Sequence, residues 1–357
     1  MAETRVASDR AVVAASSAQV RTIRPEFTGS AGEYFGIWIV NLLFSVLTLG
    51  VYSAWAKVRK KKYFYGSTRL DGDSFDYFGR PGAILKGRIV AFLAFLVYVF
   101  AGELYPQSRY ALWAFALLLM PWLVVRALTF NARNSAYRGM RFYFSGTTKQ
   151  AARVYIGILV VSALTAGLAF PWFAARQKAF VAANHAFGLS RLDCELSPRA
   201  FFGIYFRASL ILLGIVLPVS ILSAIGVAAL MRSEPASRYV WLLPVIGLYA
   251  SYALAYAYIQ SRTTNLLWNT VHGPGFHFSS SLAAWKLIGL YFGNVLAVAC
   301  SAGLLIPWAV VRTLRYRLEN FAMIVDQEVV HEANPALARV GATGQELGDF
   351  FNLDLGV

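Results

Sequence analysis

Apolar and polar positions alternate along this chain in long blocks. Seven apolar blocks, at 34–56, 89–104, 110–125, 154–175, 208–231, 239–259 and 287–311, are separated by shorter polar stretches. Most are close to the ~20 residues that carry a helix across ~30 Å of hydrocarbon. The second and third are shorter, which fits tilted or partly interfacial helices. The pattern therefore predicts an α-helical polytopic membrane protein with about seven apolar helices. Between the blocks the period drops to two. G-x2-F-x-[YF]-x-[GS] occurs at Gly72-Phe75-Tyr77-Gly79, Gly139-Phe142-Phe144-Gly146 and Gly273-Phe276-Phe278-Ser280. Aromatics alternating after a glycine turn read as the returning strand of a β-hairpin, with Thr68, Leu70, Tyr137 and Val271 on the outgoing strands. Small hairpins are marginal alone. The expectation is that they pair with one another into a β layer at the membrane interface; isolated aromatic loops among headgroups are the alternative.

The apolar blocks carry an internal repeat. G-x4-W-x3-R occurs as Gly50, Trp55, Arg59; as Gly167, Trp172, Arg176; and as Gly303, Trp308, Arg312. An F-[ST]-[GS] tripeptide beginning at Phe27, Phe144 or Phe278 precedes each copy, the third needing two extra residues. The glycines are expected to bend the helix near its end, the tryptophans to sit at headgroup level and the arginines to reach phosphates. Convergence of the three arginines on one anionic ligand is the rival reading. On this repeat the chain divides into a flexible N-terminal tail (1–26), membrane repeats 27–143 and 144–277, a partial third repeat 278–325 and an acidic C-terminal tail 326–357.

Composition agrees with the membrane reading. Of the 357 residues 58% are hydrophobic and only 14% charged, against about a quarter charged in a soluble domain. Residues 1–26 lack a secretory h-region, so the first apolar block would serve as an uncleaved anchor. The formal net charge is +15, divided between −6 after Arg317 and +21 up to and including it. In a membrane chain such basicity points to cytoplasmic loops and anionic headgroups on that side, and not to nucleic acid. Lys57, Arg59, Lys60, Lys61 and Lys62 form one basic run; Arg126, Arg133, Arg138, Arg141, Lys149 and Arg153 form another. Seven simple crossings with both runs inside put the N-terminus outside and the C-terminus in the cytoplasm, leaving 21 bases inside and 12 outside. If blocks one, four and seven instead dip in and return, only Arg109, Arg232 and Arg238 stay outside. Seven crossings are the working expectation.

Chemistry is sparse. His272 and His277 flank G-P-G-F and are expected on alternating strand faces, so they would not share a metal. Cys194 and Cys300 lie in different kinds of segment and define no disulfide framework. Asp71, Asp73 and Asp76 do not have EF-hand spacing and read as solvated turn residues. No catalytic, cofactor or metal site is assigned.

F-T-G-S (27–30), L-T-L-G-V-Y-S-A-W-A-K-V-R (47–59), Y-F-Y-G-S-T-R-L-D-G (63–72), F-D-Y-F-G (75–79), N-A-R-N (131–134) and the terminal D-L-G-V together resemble the YjgN family. The resemblance covers nearly the whole chain from Phe27. It implies a multi-pass protein of the bacterial inner membrane, built around a domain of unknown function, and supplies no catalytic residues. Two functions stand beside each other: a transporter or channel for an apolar, amphiphilic or anionic solute, and a non-transporting membrane scaffold or envelope factor. The scaffold would bind lipid headgroups or a partner protein, with the acidic tail docking on that partner or on the basic body. A lipid-directed enzyme is a third option without a nucleophile to carry it.

Overall fold

The computed structural model describes residues 20–187, 190–230 and 242–326. The acidic tail beyond Asp326 and the first nineteen residues lie outside the described part. Two strands open the described part, β1 (Val20–Ile23) and β2 (Glu26–Phe27), where the sequence reading expected tail as far as residue 26. They are held because β1 pairs along β11 (Phe321–Asp326) and β2 along β3 (Thr68–Leu70).

Between β2 and β3 the first apolar block is not one helix. It is α1 (Ala31–Leu47), a reversal, and α2 (Ser53–Ser67). The same form recurs twice. In the second case Thr148–Ala152 (α5), a π-helical stretch Arg153–Ile158 and Leu159–Leu164 (α6) run out, and Phe170–Ala183 (α7) runs back. In the third, Ala284–Cys300 (α10) runs out and Ile306–Glu319 (α11) returns. Ring contacts prove the return: Tyr34 stacks on Tyr63, and Tyr155 meets Phe180 edge-on.

The three reversals are built alike. Gly50, Gly167 and Gly303 have φ near +90°, and the residues before them, Leu49, Ala166 and Ala302, are left-handed. Each glycine N–H reaches back to the carbonyl of Ser45, Ser162 or Val298 at 2.7–2.8 Å. The preceding N–H bonds the carbonyl of Val46, Ala163 or Ala299, which makes a Schellman cap. The hydroxyl of Thr48, Thr165 or Ser301 then accepts the N–H of Tyr52, Ala169 or Leu305 and starts the returning helix. These glycines therefore end a helix and reverse the chain, where the sequence suggested a bend. Glycine suits the place because φ near +90° is strained for any residue with a Cβ.

The base of each hairpin is alike as well. The N–H of Thr28, Ser145 or Ser281 bonds the carbonyl of Ser67, Asn184 or Asn320. Counted from the apex glycine these positions correspond without a gap. The two extra residues that the tripeptide alignment required therefore fall in a strand and not in the helices. Ser30 and Thr147 follow the first two tripeptides and cap α1 and α5 in capping boxes with Glu33 and Gln150.

Two longer helix pairs complete the helical layer. They are α3 (Pro81–Leu104) with α4 (Ser108–Asn134), and α8 (Pro198–Leu230) with α9 (Leu242–Thr270). Among the described residues Pro81–Leu104, Ser108–Asn134 and Pro198–Gly226 are long and apolar enough to cross a membrane. At 1.5 Å per residue α3 and α4 reach ~36 and ~40 Å, while α1 and α10 reach only ~25 Å. The apolar faces of α3 and α4 are almost wholly open to the surroundings, and Leu49 at the first hairpin apex is 96% exposed.

The aromatic motifs form strands that pair with one another. Seven strands run in the order β2-β3-β4 (Asp73–Tyr77)-β5 (Ser135–Tyr137)-β6 (Met140–Phe144)-β7 (His185–Phe187)-β8 (Ser190–Arg191). Four more run β1-β11-β10 (Phe276–Ser280)-β9 (His272–Gly273). Asp193 bridges to His272, and the segment from β1 to β2 joins the other edges, so the order closes into a ring. Asp71-Gly72 and Arg138-Gly139, all at positive φ, make two-residue turns of the I′ kind. Inward-facing Phe75, Tyr77, Phe142, Phe144, Phe276 and Phe278 are buried against helix ends. All five helix pairs leave this ring and return to it.

Candidate functional site

The sequence singled out W-x3-R, and the structure puts its copies on three separate returning helices. Arg59, Arg176 and Arg312 are exposed, on α2, α7 and α11. Arg312 lies over the Trp308 ring at 5.0 Å and donates to Asn294 Oδ1 at 3.3 Å. Trp55 is 40% exposed and Trp172 is half-buried beside the core. The hairpin aspartates are not simply solvated. Asp71 accepts from Arg21 and Arg138, and Asp73 from Arg138. The histidine geometry also differs from the expected one. His272 and His277 are directly opposed cross-strand partners and share a face, because the tight turn between them resets the alternation. Among the described residues no group of three or more His, Cys, Asp or Glu could hold a metal ion.

A different constellation emerges where α3 leaves the ring and α4 returns. Along α4, Leu123, Arg126, Ala127, Phe130, Arg133 and Asn134 recur at helical spacing and share one face. Lys57 on α2 and Arg141 on β6 close the other sides, and Ile84 and Gly87 on α3 form the floor. They enclose a groove of about 690 Å³, and a neighbouring cavity of about 410 Å³ adds Arg80 and Phe78. The larger groove is lined by four bases and no acid.

Aromatic faces position the cations. Arg126 lies over Trp122 at 5.5 Å, and Arg141 over Phe78 at 5.4 Å. Behind the groove, buried Lys61 points its ammonium at Asn131 Oδ1 (3.4 Å) and over the Tyr77 ring (5.3 Å). Cations crowded on a low-dielectric wall raise the local concentration of anions. Guanidinium groups pair bidentately with phosphate. Leu123, Ile84 and Phe130 offer hydrocarbon contact to whatever carries the anion. The sequence reading took these bases as an orientation signal and as a surface for anionic headgroups, and did not bring them together in one site. The seven-residue spacing of Arg126 and Arg133, with Phe130 between them and Leu123 one turn before, was the clue that they share a wall.

The groove falls inside a stretch with known relatives. The family model "Bacterial protein of unknown function (DUF898)" matches residues 22–350. The chain belongs to this family. The DUF898 match runs from β1 past β11 and takes in both the ring and the groove. Inner membrane protein YjgN of Salmonella typhimurium is 30% identical over 129 residues, 35% of this chain and 32% of that protein. The protein of the same name from Escherichia coli K12 is 27% identical over 150 residues, 40% of this chain and 36% of the relative. These alignments span about a third of the relatives' own length. No solved structure matches. The DUF898 relatives' names give a location and no activity.

Proposed function

We propose that this protein is a multi-pass inner-membrane protein that holds an anionic lipid of the cytoplasmic leaflet by its headgroup in the α3–α4 groove. The observation that carries the reading is the groove itself: four bases, no lining acid and an apolar floor, at the ring end of two helices long enough to cross. Basic pockets between membrane helices on the cytoplasmic side are suited to anionic headgroups. In this reading the three short hairpins dip into the membrane and return, while α3–α4 and α8–α9 cross it. Both described chain ends and the ring then lie in the cytoplasm, which satisfies the positive-inside rule with only Arg109, Arg232 and Arg238 outside. The C-terminus would be cytoplasmic as well. A lipid site on the side of the bundle supports lipid handling, as scaffold or as carrier, over passage of a solute through a central pore.

The test compares thermal unfolding in nanodiscs of phosphatidylcholine with and without phosphatidylglycerol. Added phosphatidylglycerol should raise the midpoint of the wild type. In the variant Arg126→Gln/Arg133→Gln/Arg141→Gln the rise should vanish. At roughly 1 kcal/mol per base near an anionic surface, the triple change weakens binding on the order of 100-fold. Equal shifts in both proteins would remove the groove from consideration.

A further inference from the structure

A separate cavity, of about 270 Å³, opens in the third hairpin between α10 and α11, walled on one side by α9. One end is polar and the other is hydrocarbon. At the ring end stand Arg317, Tyr291 and Tyr256; toward the apex the lining is Val295, Val298 and Ile306. Arg317 is only 4% exposed and donates to the Tyr291 hydroxyl at 2.7 Å. The Tyr256 and Tyr291 rings lie 6.2 Å apart and complete that end.

The charge is out of keeping with the repeat. Counted from the apex glycines, Arg317 occupies the place of Phe64 in the first hairpin and of Val181 in the second. Phe64 is packed in the core, as the position would suggest. A guanidinium there costs desolvation that hydrocarbon does not. Asn294, by contrast, is committed to the hairpin, donating to Thr313 Oγ1 (2.9 Å) and the Ala309 carbonyl (3.3 Å).

We infer that this seam binds a single-chain anionic amphiphile, its carboxylate or phosphate monoester against Arg317 and Tyr291 and its alkyl chain along Val295, Val298 and Ile306. From Arg317 to Ile306 the seam runs about 16 Å along α11. Its volume matches about nine waters, room for one alkyl chain and not for two. The head-to-tail direction matches a lipid whose headgroup is on the ring side. The site lies on a different hairpin from the α3–α4 groove and stands whether or not that groove binds lipid.

Laurate and dodecyl phosphate are the probes, added to the full chain in phosphatidylcholine nanodiscs, with inorganic phosphate and dodecanol as separate arms. Both amphiphiles should raise the unfolding midpoint saturably, and neither inorganic phosphate nor dodecanol should. Arg317→Gln should weaken the response about tenfold or more. Because loss of a buried charge can disturb folding, Val298→Trp is the second variant: it blocks the alkyl end and leaves every polar group in place. It should abolish the laurate response and preserve the phosphatidylglycerol response of the groove. An unchanged laurate response in Val298→Trp would overturn the inference, as would equal stabilisation by dodecanol or by inorganic phosphate alone.

Discussion

Cysteines placed at His277 and Glu195 in a chain whose own Cys194 and Cys300 are replaced should react with a membrane-impermeant maleimide only after the inner membrane is opened. A cysteine at Gln107, in the turn between α3 and α4, should react in spheroplasts without that step. The expected contrast is all or none. It follows from hydrogen bonds that cannot form across a bilayer. His277 lies in β10, which pairs with β11, and β11 pairs with β1. Glu195 lies just beyond Asp193, whose backbone bonds His272 at 2.8 and 3.1 Å. Seven simple crossings would put both His277 and Glu195 in the periplasm. Labelling of either one in spheroplasts with an intact membrane would restore that arrangement and break the ring. Both side chains are exposed, so access is not limited by burial.

Trp268→Ala should be the most damaging single substitution of the helix–ring contact. Trp268 is fully buried near the end of α9, with Phe278 of β10 at 5.3 Å and Phe321 of β11 at 5.1 Å, both edge-on. Edge-on aromatic pairs add to area burial. Truncating a buried Trp to Ala leaves a cavity and costs about 3–5 kcal/mol, a large part of the stability of an ordinary domain. Thermal unfolding in detergent should show a fall of many degrees, with Trp268→Phe recovering most of it. An unchanged midpoint for the alanine variant would mean that the helix ends are not packed on the sheet.

The apolar blocks and the aromatic hairpins were legible because their periods differ. Phe75 and Tyr77 alternate with Ser74 and Asp76, and that alternation survives as buried and exposed positions in β4. The hairpin reversals were legible only in the charge count, which allowed blocks one, four and seven to dip in and return; hydropathy hid them, for two reasons. The apex residues Leu49, Val51, Leu168 and Leu304 are themselves apolar, so hydropathy runs on unbroken through the turn. And the left-handed residue that opens each Schellman cap is Leu49, Ala166 or Ala302 and not glycine, so the usual punctuation falls one residue late. Nor could linear sequence show that Lys57 would face Arg126, since 69 positions separate them. Their meeting needs α2 and α4 to return to the same ring. The two histidines misled because alternation was counted through a turn that breaks it.

Native mass spectrometry of the protein released from nanodiscs of mixed phosphatidylcholine and phosphatidylglycerol tests most directly whether the α3–α4 groove selects anionic headgroups. The wild type should retain phosphatidylglycerol adducts well above the nanodisc ratio, and Arg126→Gln/Arg133→Gln/Arg141→Gln should retain the two lipids in that ratio. Adducts in the nanodisc ratio on the wild type, or the same enrichment on the triple variant, would contradict that selection.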